Sequence, residues 1–280
     1  MRRAPILSAL ALTLSAVLAG MLFLTGRGGT AAAVSATAGA AGGKEDTLLD
    51  KIPQRGRLRV CTTGDYRPFT YLDPKTGDRT GIDVDMARHL AGSLGVQATF
   101  VPTTWATIVD DLAANKCDVS MGGVSVTLAR ARKAYFSTPY ITDGKAPIAR
   151  CADKDKYQTL EQIDQPGVRV IVNPGGTNQQ FVQANIKKAT VITHPDNNTI
   201  HEEIAAGRAD VMITDASETR YQSKIRPELC AINPDKPFTF AEKAYLLPRG
   251  DEVFKEYVDQ WLHLSVNDGT YARYAAPWQS

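Results

Sequence analysis

From Leu48 onward, apolar residues recur along the chain with two alternating periods. Leu48 and Ile52, four apart, read as a short amphipathic helix. RLRVCTT (57–63) then has strand-forming residues and ends in a Gly64-Asp65 turn signal. YLDPKTGDRTG reads as a hairpin tip punctuated by Pro74 and Gly77. Ile82, Met86, Leu90 and Leu94 form one helical face that stops at Gly95. QATFVPT is the next strand, and Thr104 is expected to cap a helix that buries Ile108, Val109 and Leu112. CDVSMGG is the third strand. The second half repeats this rhythm. A Thr159 cap opens TLEQI, VRVIVN (168–173) is a strand, and PGGTN leads into a helix from about Asn178 to Lys188. ATVITH is a strand, a helix runs from Asn198-Thr199 to Gly207, and ADVMITDA is a strand ending at Asp215 before another helix. AEKAYLLPRG (241–250) is expected as one further strand, and FKEYVDQWLHLSV as an amphipathic C-terminal helix. Strands and helices alternating in this way predict an α/β fold with a mostly parallel sheet covered on both faces. Two such sets predict two lobes, with crossings near 142–148 and 238–245.

The first 43 residues break the rhythm. Arg2 and Arg3 precede an apolar run from Pro5 to Thr25, a charged n-region with a long h-region. Residues 1–25 are therefore expected to be a signal peptide, or an anchor if they are retained, and 26–46 a flexible Gly/Ala/Ser/Thr linker. This implies an exported protein that meets a membrane only through its N-terminal segment. No cysteine follows the apolar run, which argues against lipid modification. The leader holds three of the 32 basic residues, leaving 29 against 30 acids. That balance gives no reason to expect a nucleic-acid partner.

Four cysteines in an exported chain permit disulfides. Cys151–Cys230 is the bridge that the lobe assignment favours. Cys61 and Cys117, both on strands of the other lobe, fit either a second bridge or two inert buried thiols. None has metal-ligand spacing, and His89, His194, His201 and His263 are scattered, reading as surface or capping residues. No metal site is expected.

The candidate chemistry lies at strand ends, where open α/β sheets hold ligands. Gly122-Gly123 lead into Ser125, Thr127 and Arg130, a combination able to clamp a carboxylate. The glycines would let a ligand approach the backbone. Gly176, Thr177 and Asn178 open a helix whose N–H groups attract an anion. Asp215 either meets a ligand ammonium or caps the helix behind it. Tyr66, Phe69 and Trp105 are positioned to wall an apolar or ring-shaped ligand.

S-V-T-L-A-R followed by Y-F-S-T-P-Y resembles the signature of extracytoplasmic amino-acid-binding proteins. The resemblance implies a periplasmic-binding-protein-like type II fold, with two doubly wound lobes joined by a two-strand hinge. The lobes would comprise 47–143 with 243–280, and 144–242. It implies too that Arg130 holds a carboxylate, that Gly176-Thr177 form an anion-holding turn, and that Asp215 pairs with an amino group. Longer runs, among them TTGDYRPF, GIDVDMA, IVNPGGTN, PELCA and FAEKAYLLPR, resemble the periplasmic cyclohexadienyl dehydratase family over about residues 50–265. Those enzymes convert prephenate to phenylpyruvate or arogenate to phenylalanine, losing water and CO2, without a metal or organic cofactor. The expected ligand is thus a small dicarboxylate. One departure stands out: where the family is expected to carry a glutamate general acid, after GGTN, this chain has Gln179-Gln180. An amide releases no proton at useful pH. Gln179 thus occupies the family's catalytic position without its proton, and Lys145, Asp215 and Lys243 are the remaining candidates for the donor. The alternative is a non-catalytic amino-acid-binding protein that serves an ABC transporter permease.

Overall fold

Arginine alternates with Leu58 and Val60 in strand β1 (Arg57–Thr62), and the strand places both aliphatic side chains in the core while Arg57 is exposed. The computed structural model describes residues 47–279, so the expected signal segment and linker lie outside the described residues. Helix α1 (Leu48–Arg55) buries Ile52. After β1, three short strands, β2 (Asp65–Tyr66), β3 (Thr70–Leu72) and β4 (Arg79–Thr80), form a small antiparallel sheet. Helix α2 (Ile82–Ser93) buries Ile82, Met86 and Leu90, as their spacing predicts. Each such side chain contributes roughly 1.5–3 kcal/mol of burial. β5 (Gln97–Pro102) and β6 (Val119–Ser120) flank β1 in parallel. Between them lies α3 (Ile108–Ala113), which starts three residues later than a Thr104 cap implies. Thr107 is its N-cap, while the Thr104 carbonyl accepts the Thr107 and Ile108 N–H groups. The single turn α4 (Leu128–Ala131) and β7 (Tyr135–Phe136) complete this lobe's first pass.

The chain then crosses. β8 (Ile141–Asp143) runs straight into β9 (Lys145–Arg150), a central strand of the second sheet. There α5 (Leu160–Ile163) carries a full capping box from Thr159 and Gln162. β10 (Arg169–Val172), α6 (Thr177–Asn185), β11 (Thr190–Thr193), α7 (Ile200–Ala205), β12 (Val211–Asp215) and α8 (Ala216–Ile225) follow in the expected alternation. β13 (Leu229–Ala231), which periodicity alone misses, pairs with β9.

The return crossing corrects the expectation of one strand over 241–250. β14 (Ala241–Lys243) pairs antiparallel with β8, whereas β15 (Leu246–Leu247) belongs to the first sheet. The sheets are therefore mixed, ordered β5-β1-β6-β15-β7 and β11-β10-β12-β9-β13, because each crossing inserts an antiparallel strand. α9 (Glu252–Asn267) and α10 (Thr270–Gln279) close the first lobe, burying Phe254, Val258, Trp261 and Ala275 in its core. The second core gathers Val170, Val172, Val182, Val211 and Ile213. The result is two α/β lobes joined by a two-strand hinge.

Both cysteine pairs are joined. Cys151–Cys230 forms as the lobe assignment favours, and Cys61–Cys117 resolves the open alternative as a bridge rather than two thiols. One histidine departs from expectation. His201 is fully buried, and neither of its ring nitrogens has a hydrogen-bond partner. Burial, then the nearby charges of Arg226 and Arg67, lower its pKa to about 3, so it is a neutral core residue.

Candidate functional site

The carboxyl ends of β1, β6, β10 and β12 point into one cleft between the lobes. Tyr66, Trp105, Gly123 and Ser125 face it from the first lobe, and Asn173, Gly176, Thr177, Asn178 and Asp215 from the second. Eight of the expected site residues thus meet in one cavity. In this closed arrangement its volume is about 20 Å³, room for roughly one water. The lobes are latched across it. The Tyr66 hydroxyl donates to Asp215 Oδ2 at 2.5 Å, and Asn197 Nδ2 donates to the Asp65 carbonyl at 2.9 Å.

Asp215 is the electrostatic centre. It stands opposite Lys145 in the β12–β9 ladder, so the two side chains emerge side by side. Lys145 Nζ donates to Asp215 Oδ1 at 2.7 Å and to Thr177 Oγ1 at 3.0 Å, and also to Asn178 Oδ1. Lys243, on hinge strand β14, donates to Asp215 Oδ2 at 2.5 Å and to Ser125 Oγ at 3.0 Å. Burial pushes the Asp215 carboxyl up, but the two ammonium groups outweigh it and hold the pKa well below the usual carboxylate range. Lys145 is lowered, chiefly by burial, with Asp215 opposing and Lys243 adding to the shift. Asp215 does not cap α8. Asp143 does so from the hinge, accepting the Ser217 N–H at 3.2 Å and its hydroxyl at 2.6 Å.

Behind Asn178 a polar relay continues inward. Asn178 Nδ2 donates to Asn173 Oδ1 and Thr214 Oγ1, and Thr214 donates to Glu218. Burial, with Asp215 nearby, raises the Glu218 pKa to about 8, so its carboxyl is mostly protonated at neutral pH.

The segment expected to clamp a carboxylate is ordered by its own contacts. Thr127 caps α4 by accepting the Arg130 N–H, and Arg130 Nη1 donates to the Ser125 carbonyl at 2.9 Å. Among the described residues no carboxylate pairs with Arg130. Burial lowers its pKa despite the charge of Asp215, the mark of a cation short of a counter-ion. Gly123 has a role other than ligand approach. Its φ is +70°, and a Cβ there would lie 2.4 Å from Phe69 Cδ2 and 2.7 Å from Tyr66 Cε1. It is the protein's own rings that come close. The Gly123 N–H is held by Asp83 Oδ2 at 2.6 Å, and Asp83 also accepts from Tyr140 and Tyr245.

Five expected residues do not line the cavity: Thr127, Arg130, Lys145 and two that are turned elsewhere. Phe69 is fully buried behind Tyr66, with ring centroids 5.5 Å apart, because the tight loop turns it inward. Gln179 folds back on its own turn, its Oε1 accepting the Gly175 N–H at 2.8 Å, so its carbonyl is already used. Sequence reading missed Asn173, Asp83, Tyr140 and Tyr245. Asn173, directly after a strand of apolar residues, is the one with a visible signal. Among the described residues no cluster of three or more His, Cys, Asp or Glu could hold a metal, and no helix is long and apolar enough to cross a membrane.

Comparison with known proteins agrees with this geometry. The model of bacterial extracellular solute-binding proteins, family 3, matches residues 58–280. Cyclohexadienyl dehydratase of Pseudomonas aeruginosa is 54% identical over 234 residues, 84% of this chain and 87% of that protein. The crystal structure of an ancestral amino acid-binding protein, a precursor of cyclohexadienyl dehydratase, superposes with a TM-score of 0.77 at 35% identity, covering 84% of this chain and all of that one. An ancestral cyclohexadienyl dehydratase superposes at 0.53 with 52% identity, covering 83% and 96%. With the match running from the first strand to the end of the chain, this protein belongs to the bacterial extracellular solute-binding proteins of family 3.

Proposed function

We propose that this protein is a cyclohexadienyl dehydratase-type lyase that converts prephenate to phenylpyruvate, and arogenate to phenylalanine less readily. The observation that carries the reading is the state of Asp215. An amino-acid carrier needs that carboxylate for its ligand's ammonium, but here Lys145, Lys243 and Tyr66 already occupy it. The site therefore offers cations and acidic protons instead of a free carboxylate. That suits a dianion with a leaving hydroxyl, and it favours the keto substrate over the amino one.

In this reading Arg130, with Ser125 and Thr127, holds the side-chain carboxylate, and the start of α6 at Gly176-Thr177 faces the ring carboxylate. The bond from ring to carboxylate breaks and CO2 leaves. Its electron pair completes the aromatic ring as the ring C–O bond breaks, and the departing oxygen takes a proton from Lys145 Nζ to leave as water. Lys145 thus takes the place of a carboxylic acid at Gln179, and its lowered pKa makes its ammonium a better donor. A positioned general acid contributes roughly 10²–10⁴-fold. A cavity of about 20 Å³ admits no such substrate. We propose that the lobes, 47–143 with 243–280 and 144–242, open about β8 and β14 to load it and close to exclude water. The exported location expected from the leader fits the family.

A second reading has one observation in its favour: α6 opens without an acidic side chain, as suits a solute carrier that delivers an amino acid to an ABC transporter. Incubating purified protein with prephenate and following phenylpyruvate decides between them. Product above the spontaneous rate supports the lyase. No product, together with tight amino-acid binding by calorimetry, would establish the carrier.

A further inference from the structure

A second cavity, far roomier than the cleft pocket, lies beside the hinge. Its volume is about 370 Å³, within the range of small-molecule sites. Both lobes build it. Pro68, Phe69, Ile82 and the α10 side chains Tyr271 and Trp278 come from the first lobe. The α8 side chains Arg220, Tyr221 and Lys224 come from the second, with Ile141 and Thr142 of the hinge between them. Phe69 partitions this cavity from the cleft, since its other neighbour is the Tyr66 ring.

Three features of the lining define a ligand chemistry. Aromatic rings dominate the wall, with Tyr221 and Trp278 centroids 5.6 Å apart and tilted by 49°, leaving edges and faces to receive another ring. The charged groups are cationic, beside the neutral hydroxyl side chains Thr142 and Ser217. Lys224 makes no hydrogen bond or ion pair among the described residues. Arg220 uses only Nη2, on the Pro234 carbonyl and on an Asp235 that is 90% exposed and so a weak partner. Among the described residues no Asp or Glu lines the cavity, so no carboxylate there pairs with an ammonium group.

We propose that this cavity is a second ligand site, specific for arylalkyl monocarboxylates, whose ring packs against Trp278 and Tyr221 and whose carboxylate meets Arg220 and Lys224. The proposal holds whichever reading of the cleft is right, because it uses none of the cleft's polar residues. Its consequence is coupling. A ligand touching α8 and α10 together loses half its contacts when the lobes move, so it stabilises the closed arrangement by its differential affinity.

The test uses 3-phenylpropanoate as probe, titrated calorimetrically into the full chain, with 3-phenylpropanamide and phenylalanine beside it. Arg220→Met/Lys224→Met removes the cations from an exposed helix face, and Arg130→Met disables the cleft clamp. Thermal melts check that each variant is folded. The expected result is saturable binding that survives Arg130→Met and weakens at least 10-fold in Arg220→Met/Lys224→Met. In Arg130→Met, where the cleft takes no part, the amide and the amino acid should each bind at least 10-fold more weakly than the acid. Affinity unchanged in the Arg220/Lys224 variant, binding lost in Arg130→Met, or no saturable binding at millimolar probe would each overturn the proposal.

Discussion

At the scale of the residue, the site is decided by who shares Asp215. Lys145→Met should leave the fold intact but slow phenylpyruvate formation about 10²–10⁴-fold, because it deletes the proposed proton donor without touching the proposed Arg130 clamp. A stopped assay on the folded variant measures this, and full activity would move the donor elsewhere. The donor acts when protonated, and its pKa is lowered by burial. The rate should therefore fall on the alkaline side of the profile earlier than an ordinary lysine would allow. Glu218 gives a second pH effect. Its pKa is raised from 4.5 to about 8, first by burial. Between those values the unfolded chain releases a proton that the native state keeps, so stability is fully present below pH 4.5 and drains away as pH rises towards 8. Glu218→Gln should flatten that slope and, near pH 7, add about 3 kcal/mol relative to the parent, read from denaturant melts at several pH values. At Gly123 the direction reverses. Alanine there would press on Phe69 and Tyr66 and take a left-handed φ, destabilising by about 1–3 kcal/mol in the same melts.

At the scale of the element, each lobe carries one covalent staple. Cys61–Cys117 joins β1 to the approach of β6, and Cys151–Cys230 ties the end of β9 to β13. Their sequence separations of 56 and 79 residues each imply about 4 kcal/mol of loop entropy removed from the unfolded chain. Replacing either pair by alanines should lower the melting temperature by roughly 8–16 °C. Equal melting temperatures for parent and variant would show that the native state gains nothing from the bridge. Periodicity made most of these elements legible. The four-residue spacing of α2 and the Thr159 cap led to the right helices, and the apolar runs of β10 and β12 to the right strands. It failed where a strand is too short to show a period. β13 has three residues, and β14 and β15 were read as one strand because nothing local records that the chain changes sheet at Ala244-Tyr245.

At the scale of the whole molecule, the two crossings lie side by side so tightly that a Cβ on Gly144 would sit 1.9 Å from the Thr239 carbonyl oxygen. Gly144→Ala must therefore push the crossings apart and change the lobe angle. Small-angle scattering should show a radius of gyration different from the parent's, and superimposable curves would mean that the hinge absorbs the methyl group. Opening must also break the Tyr66–Asp215 and Asn197–Asp65 links, the latches between the lobes.

The sequence by itself determined the α/β alternation, the two-lobe plan and the chemistry gathered at strand ends, because these follow from local periodicity and from motifs contiguous in the chain. Arg130, Ser125, Thr127, Gly176 and Thr177 could be named that way. Only the tertiary structure decided what they face. Lys145 and Lys243 stand 98 positions apart in the chain, and nothing local brings both onto Asp215. Phe69 turned inward, and Gln179 was taken by its own turn. Burial and charge pairing belong to the folded molecule, and they convert an expected ammonium receptor into a cation-rich pocket.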